Sequence, residues 1–171
     1  MRIERHQLSP ENDIPNSPLP LILARGAVAM PTRPEAVEEM VRGNGWTGTW
    51  VYTVYDYWHY HVTGHELLIC VAGTAELGFG GPHGIRVEVA PGDMAVLPAG
   101  TGHRRFSASA DFAMVGAYPP GQDGSITRVG AMDTAEAAAR IARLALPQND
   151  PLTGERPGIF DAWRGRGEAL S

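Results

Sequence analysis

Apolar and polar positions change rhythm twice along this chain. Residues 1–20 are polar and broken by proline, and are expected to run extended over the surface. LPLILARGAV, from Leu19 to Val28, holds a short apolar strand that closes near Met30 and Pro31. In TRPEAVEEMVRGNGW, Ala36, Val37, Met40 and Val41 form one apolar stripe at helical spacing. Thr32 is placed to cap that helix, Pro34 suits its first turn, and Gly43 or Gly45 ends it.

From Trp50 to about Tyr118 the rhythm becomes that of strands. TWVYTVYDYWHYH, HELLICVAG, TAELGFGG, IRVEVAPGD, MAVLPAG, HRRFSAS and DFAMVGAYPP follow one another, with Gly, Pro or Asp between most of them. Such close spacing predicts an antiparallel sandwich or barrel, not alternating strand and helix. GFGGPHG reads as a hairpin or loop, because no helix follows it. The helical rhythm returns in DTAEAAARIARLAL, Asp133 to Leu146, where Asp133 and Glu136 form a capping box and Pro147 lies past the stop. The tail, Pro151 to Ser171, has isolated anchors at Leu152, Ile159, Phe160 and Trp163. The expected organisation is one all-β domain over 1–171 with short flanking helices. It has an N-terminal extension with a short helix (1–49), a barrel core (50–118), and a C-terminal helix and tail (119–171).

Composition narrows the function classes. Every basic residue is arginine, so a lysine Schiff base or lysine general base is excluded. Cys70 is the single cysteine, which rules out an intrachain disulfide and a cysteine metal cluster. The formal charge of -5 offers no attraction to nucleic acid or to an anionic membrane. MRIERHQLSPENDIP lacks the apolar centre of a signal peptide, and no apolar run approaches the roughly 20 residues of a membrane span. A cytoplasmic protein is the expectation. There is no phosphate loop, dinucleotide fingerprint or GxSxG elbow.

The chemistry concentrates in HYHVTGHELLICVAG, His59 to Gly73. If residues 55–61 are extended, Tyr55, Tyr57, His59 and His61 share one face, and the two imidazoles converge. Glu66 opens an apolar strand whose face is Glu66, Leu68 and Cys70. An antiparallel neighbour would bring its carboxylate to the histidines. A buried carboxylate is costly unless paired or metal-bound. The turn Pro98-Ala99-Gly100-Thr101-Gly102 is placed to deliver His103. A lone HxH pair is more often a surface or stacking pair, and the glutamate is what raises the metal reading. Three imidazoles and one carboxylate leave two positions open on an octahedral ion, unlike a closed structural zinc site.

Other residues keep two readings. His65 is a surface histidine, a hydrogen-bonding support, or a ligand in place of Glu66, with spacing in favour of Glu66. Tyr55 and Tyr57 either fill a barrel end or aim hydroxyls at substrate for proton transfer. Arg105 and Ser107 share the parity of His103, and Arg105 is either a clamp for a carboxylate or phosphate or part of a rim salt bridge. Cys70 is core packing, and His6 and His83 are solvent residues. Val51, Trp58, Leu67 and Ile69 pack under the N-terminal strand and helix or at a homodimer interface.

These residues resemble the cupin family. Its first motif is written G(x)5HxH(x)3-4E(x)6G. His59, His61, Glu66 and Gly73 match it, with Thr53 at the place of the leading glycine. Its second motif is G(x)5PxGxxH(x)3N. Gly92, Pro98, Gly100 and His103 match it, with Ser107 at the place of the final asparagine. The flanks GNGWTGTW and VGAYPPGQD resemble those of the YjlB-like bacterial cupins. The resemblance implies a double-stranded β-helix of the jelly-roll type. It implies one divalent metal ion (iron, manganese, nickel or zinc) on His59, His61, Glu66 and His103. It is compatible with dioxygenase-like or isomerase-like chemistry, or with a non-catalytic binding or sensor module, and the Arg105 and tyrosine candidates point to a small polar or anionic molecule as ligand.

Overall fold

The strand-rich middle of the chain folds as two antiparallel sheets, in a computed structural model that describes residues 1–165. The strands are β1 (Arg2–Leu8), β2 (Ser17–Arg25), β3 (Thr47–Tyr52), β4 (His59–Tyr60), β5 (Glu66–Ala72), β6 (Ala75–Phe79), β7 (Ile85–Val89), β8 (Met94–Leu97), β9 (His103–Ala108), β10 (Ala113–Tyr118) and β11 (Thr127–Arg128). Six of them form one sheet in the order β1-β2-β8-β5-β10-β3. The other five form a second, β11-β4-β9-β6-β7. The short helices are α1 (Pro34–Gly43), α2 (Thr134–Ile141) and α3 (Asp161–Arg164), the last preceded by a 3₁₀ turn over Gly158–Phe160. No helix of the described residues is long and apolar enough to cross a membrane.

The larger sheet is buried on both faces, which explains the unbroken apolar run LLICVA in β5. One face (Leu21, Leu23, Leu68, Cys70, Met114) meets Leu77 and Phe79 of the smaller sheet. The opposite face (Ile22, Leu67, Ile69, Val96) is covered by Val37 and Val41 of α1 and by Phe160 and Trp163. Strand alternation thus sends Leu67 and Ile69 under the helices and Leu68 and Cys70 into the space between the sheets. Leu67 and Ile69 pack as one of their two expected readings had them. Val51, in contrast, is 42% exposed on edge strand β3. Trp58 packs edge-on against Phe106, with ring centroids 6.0 Å apart. Burial pushes the Cys70 thiol up to about 11, as fits a core cysteine.

Several local expectations are corrected. Residues 2–8 do not merely lie over the surface: Arg2–Leu8 pairs with β2 as an edge strand. Leu8 is buried and Ile3 packs on the core, while Arg2, Glu4 and Arg5 charge the open edge, a pattern that discourages further pairing. Arg33, not Thr32, takes the N-cap position of α1. It makes no side-chain cap, and the Thr32 hydroxyl donates to the Ala29 carbonyl. Ala36 is exposed, so the buried stripe of α1 narrows to Val37 and Val41. Asp133 caps α2 as expected, accepting from the Glu136 amide at 3.1 Å. That helix stops at Ile141, where three-residue bonds (Arg143 N to Arg140 O, Leu144 N to Ile141 O) tighten its end.

Candidate metal centre

The expected strand over 55–61 is broken, and the break builds the site. β3 pairs with β10 in the larger sheet, whereas β4 pairs with β9 in the smaller one. The chain must cross between sheets over residues 53–58, so only His59 and Tyr60 are strand. His59 lies in register with His103 at the start of β9, and His61 follows immediately. Glu66 therefore does not come from a hydrogen-bonded neighbour of the histidine strand. It comes from the facing sheet, where β5 lies between β8 and β10.

The turn before His103 ties the second motif to the first. Thr101 N donates to Pro98 O at 3.1 Å, and Gly100 N donates to His61 O at 2.8 Å. Gly100 has φ +94°, and a Cβ there would overlap the Asn16 carbonyl, so glycine is required.

Four side chains meet in this space. His59, His61, Glu66 and His103 are all buried. One ligand nitrogen from each histidine lies within 4.8 Å of the others. Glu66 Oε2 is 3.0 Å from His61 Nε2 and 3.2 Å from His103 Nε2. Each Nδ1 faces a backbone carbonyl instead: His59 to Tyr57 O at 2.9 Å, His61 to Ser125 O at 3.0 Å, and His103 to Thr101 O at 2.9 Å. A ring that donates Nδ1–H in its neutral form presents Nε2 as a lone pair. The cluster thus gathers three imidazole nitrogens, two of them against one carboxylate, a donor set suited to a single divalent ion.

The electrostatics agree. Burial, helped by His103, pulls His59 down to about 3, so it stays a neutral imidazole. Burial opposes charge on His61, but Glu66 outweighs it and raises His61. Burial would raise the Glu66 carboxyl, but His61 and His103 overcome it and hold Glu66 well below the usual carboxylate range. An ionised carboxylate and the imidazoles that it favours in their charged form occupy the place where a cation fits.

A cavity of about 320 Å³ opens over these four residues. Tyr55 lines it, 39% exposed, with its ring centroid 5.7 Å from that of His59. Tyr57 stacks on Tyr55 at 5.3 Å and lies under the Arg128 guanidinium. Arg105 donates to the Thr53 hydroxyl at 2.7 Å, so the threonine at the motif's glycine position serves as its partner. Ser107 is exposed. The surface reading of His65 is overturned. It is 2% exposed, and its Nδ1 accepts from Ala99 N–H at 2.9 Å. Its ring packs against Trp163 instead of the cluster. Strand alternation turns it to the opposite face from Glu66, where the chain covering β5 buries it, and burial lowers it to about 4.

Tyr118 has no counterpart among the sequence candidates. Its hydroxyl accepts from Trp50 Nε1 at 2.8 Å and donates to Glu66 Oε1 at 3.4 Å. Burial, reinforced by Glu66, keeps the phenol protonated far above its ordinary range. A Cβ at Gly124 would overlap this hydroxyl, so the glycine lets the loop close on it. Tyr118→Phe removes the bond that orients the carboxylate. It is expected to lower divalent-metal affinity about tenfold, the lower end for such outer supports, read by competition with a chromophoric chelator. An unchanged affinity would show that Glu66 is held without Tyr118.

Comparison with known proteins gives a consistent result. A family model described as a cupin domain matches residues 51–115. An uncharacterized protein of Bacillus subtilis, YjlB, is 37% identical over 151 residues, covering 88% of this chain and 90% of its own length. Among solved structures, an acireductone dioxygenase from Bacillus anthracis with a cadmium ion in its active centre is 15% identical. That match covers 54% of this chain and 62% of the other, at a TM-score of 0.40. A DUF861 family protein from Thermotoga maritima is 18% identical, covering 52% and 94%, at a TM-score of 0.33. These structural likenesses are too distant to bear on chemistry.

Proposed function

The chain belongs to the cupin superfamily, and we propose that it is a small-molecule metalloenzyme with one divalent ion on His59, His61, His103 and Glu66. The observation that carries this reading is the common orientation of the three rings. Each directs Nδ1 to a carbonyl and turns Nε2 away from it, and two of them, His61 and His103, meet the buried Glu66 carboxylate through Nε2. A hydrogen-bonded core network would have no need of three buried imidazoles gathered beside one anion. The bound ion would supply Lewis acidity or, if redox-active, electron transfer to a coordinated small molecule. The four donors suit iron, manganese, nickel or zinc, and either dioxygenase-like or isomerase-like chemistry.

The chain's own part is positioning. The cavity admits a small molecule to the open side of the cluster. Tyr55, on the wall, is the proposed proton-transfer hydroxyl. Tyr57 packs against His59, with centroids 5.5 Å apart, and Arg105 stands behind the wall through Thr53. We propose that the two sheets close as a jelly-roll barrel. In one domain, residues 50–118 form the ligand-bearing core, and 1–49 and 119–165 serve as its cover. A cytoplasmic homodimer is also part of this reading, with the exposed Val51 on the outer face of edge strand β3 as supporting surface.

The test is quantitative elemental analysis of untagged protein beside His61→Ala and Glu66→Ala. About one divalent ion per chain, lost in both variants, is the expected result. Absence of metal, with no uptake on titration, would sink the metalloenzyme reading. Stoichiometric metal with ligand binding but no turnover would favour a sensor.

A further inference from the structure

Above the four floor residues, the metal cavity is walled by the rings of Trp50, Tyr52, Tyr55 and Tyr118 and by aliphatic Leu68 and Ile126. Among the described residues, no arginine lines it. Arg105, the anion clamp considered from the sequence, donates one N–H to the Thr53 hydroxyl at 2.7 Å, and Arg128 lies over the Tyr57 ring at 3.9 Å. The wall's inner polar atoms satisfy one another: Trp50 Nε1 donates to Tyr118 Oη, which donates to Glu66. A second, negative charge on a ligand would lose water there and meet no arginine of the described residues in the wall. A flat ring would meet aromatic faces and edges. The volume of about 320 Å³ equals roughly ten waters at about 30 Å³ each, enough for one substituted ring.

Resting on the metal reading above, we propose that this cavity takes a small molecule with an oxygen-bearing head for the metal and an uncharged, ring-containing body. Tyr52 and Tyr55 set the preference for that body. Both sit at the solvent edge, 62% and 39% exposed, so their removal does not hollow the core. This narrows the sequence expectation of a polar or anionic ligand: polarity belongs to the head, and among the described residues no arginine lines the wall around the body.

The test uses cobalt(II)-loaded protein and three hydroxamates that share a head. These are acetohydroxamate, benzohydroxamate and succinate monohydroxamate, followed by calorimetry and by the cobalt visible spectrum. Benzohydroxamate is expected to bind at least tenfold more tightly than acetohydroxamate, with the succinate compound no better than acetohydroxamate. In Tyr52→Ala/Tyr55→Ala the benzohydroxamate advantage should fall below threefold while the cobalt spectrum of the ligand-free protein is unchanged. Equal affinities would overturn the proposal. So would preference for the succinate compound that disappears in Arg105→Ala. Failure to take up cobalt at all would overturn the metal reading and this inference with it. That outcome is distinct because in the others cobalt is bound.

Discussion

Glu66→Gln is expected to lower divalent-metal affinity at least 100-fold while leaving the metal-free protein folded. Glu66 is 3% exposed and contacts two of the three histidines, His61 at 3.0 Å and His103 at 3.2 Å. Glutamine fills the same volume and can still accept from Tyr118. It cannot supply the single negative charge of the ligand set. A hundredfold loss corresponds to about 2.7 kcal/mol, modest beside the whole binding energy of a protein-bound divalent ion. The metal-free protein loses the attraction between Glu66 and His61, but it also no longer buries an anion, and His61 is free to become neutral. Those effects oppose each other, so stability should change by no more than about 2 kcal/mol. Zinc competition against a chromophoric chelator and urea unfolding of the metal-free proteins read the two halves. Zinc binding within threefold of wild type would remove Glu66 from the ligand set. Collapse of the metal-free variant would make the cluster a structural network.

The four clustered residues were legible because their information is local. HxH, four residues and Glu, then a proline-glycine turn and His, are short spacings that name residue types able to bind metal. The path by which they meet was not local. Alternation along 55–61 correctly grouped His59 with His61, yet the chain leaves one sheet and joins the other across those residues. A crossing of that kind is set by strand pairing with β10 and β9, distant in sequence. Tyr118 was missed for the same reason: it is 52 residues from Glu66, and nothing in DFAMVGAY distinguishes its hydroxyl from a rim tyrosine. His65 went wrong differently. Alternation pointed it away from the metal, but away from the metal meant a second core, because β5 is covered on both faces. The edge strand Arg2–Leu8 was hidden by its charges, which protect a sheet edge and also imitate a surface coil.

That second core leads to the complementary result. Trp163→Ala is expected to destabilise the protein by about 3–5 kcal/mol, the range for deleting a buried tryptophan. Trp163 is 1% exposed, packs on Phe160 at 5.0 Å between ring centroids, and shares a cluster with Ile22, Leu67 and Val96 of the larger sheet. Its Nε1 donates to Pro20 O at 2.9 Å, which fastens α3 to the start of β2. Alanine leaves a cavity beneath a helix too short to refill it and strands a buried carbonyl. Urea unfolding should show a lower midpoint with an unchanged slope. Trp163→Phe, which keeps most of the volume but loses the N–H, should cost about 1–2 kcal/mol. Metal affinity should fall less than tenfold in either variant. Trp163 reaches the centre only through His65 and the Ala99 amide, while the three ligand rings keep their own carbonyl partners. A loss below 1 kcal/mol for Trp163→Ala would mean that the C-terminal helix is not packed on the sheet in solution. A hundredfold loss of metal would mean that the turn before His103 is held from this side. The expected pair of outcomes separates the two roles of β5: Glu66→Gln removes the metal and keeps the fold, and Trp163→Ala weakens the fold and keeps the metal.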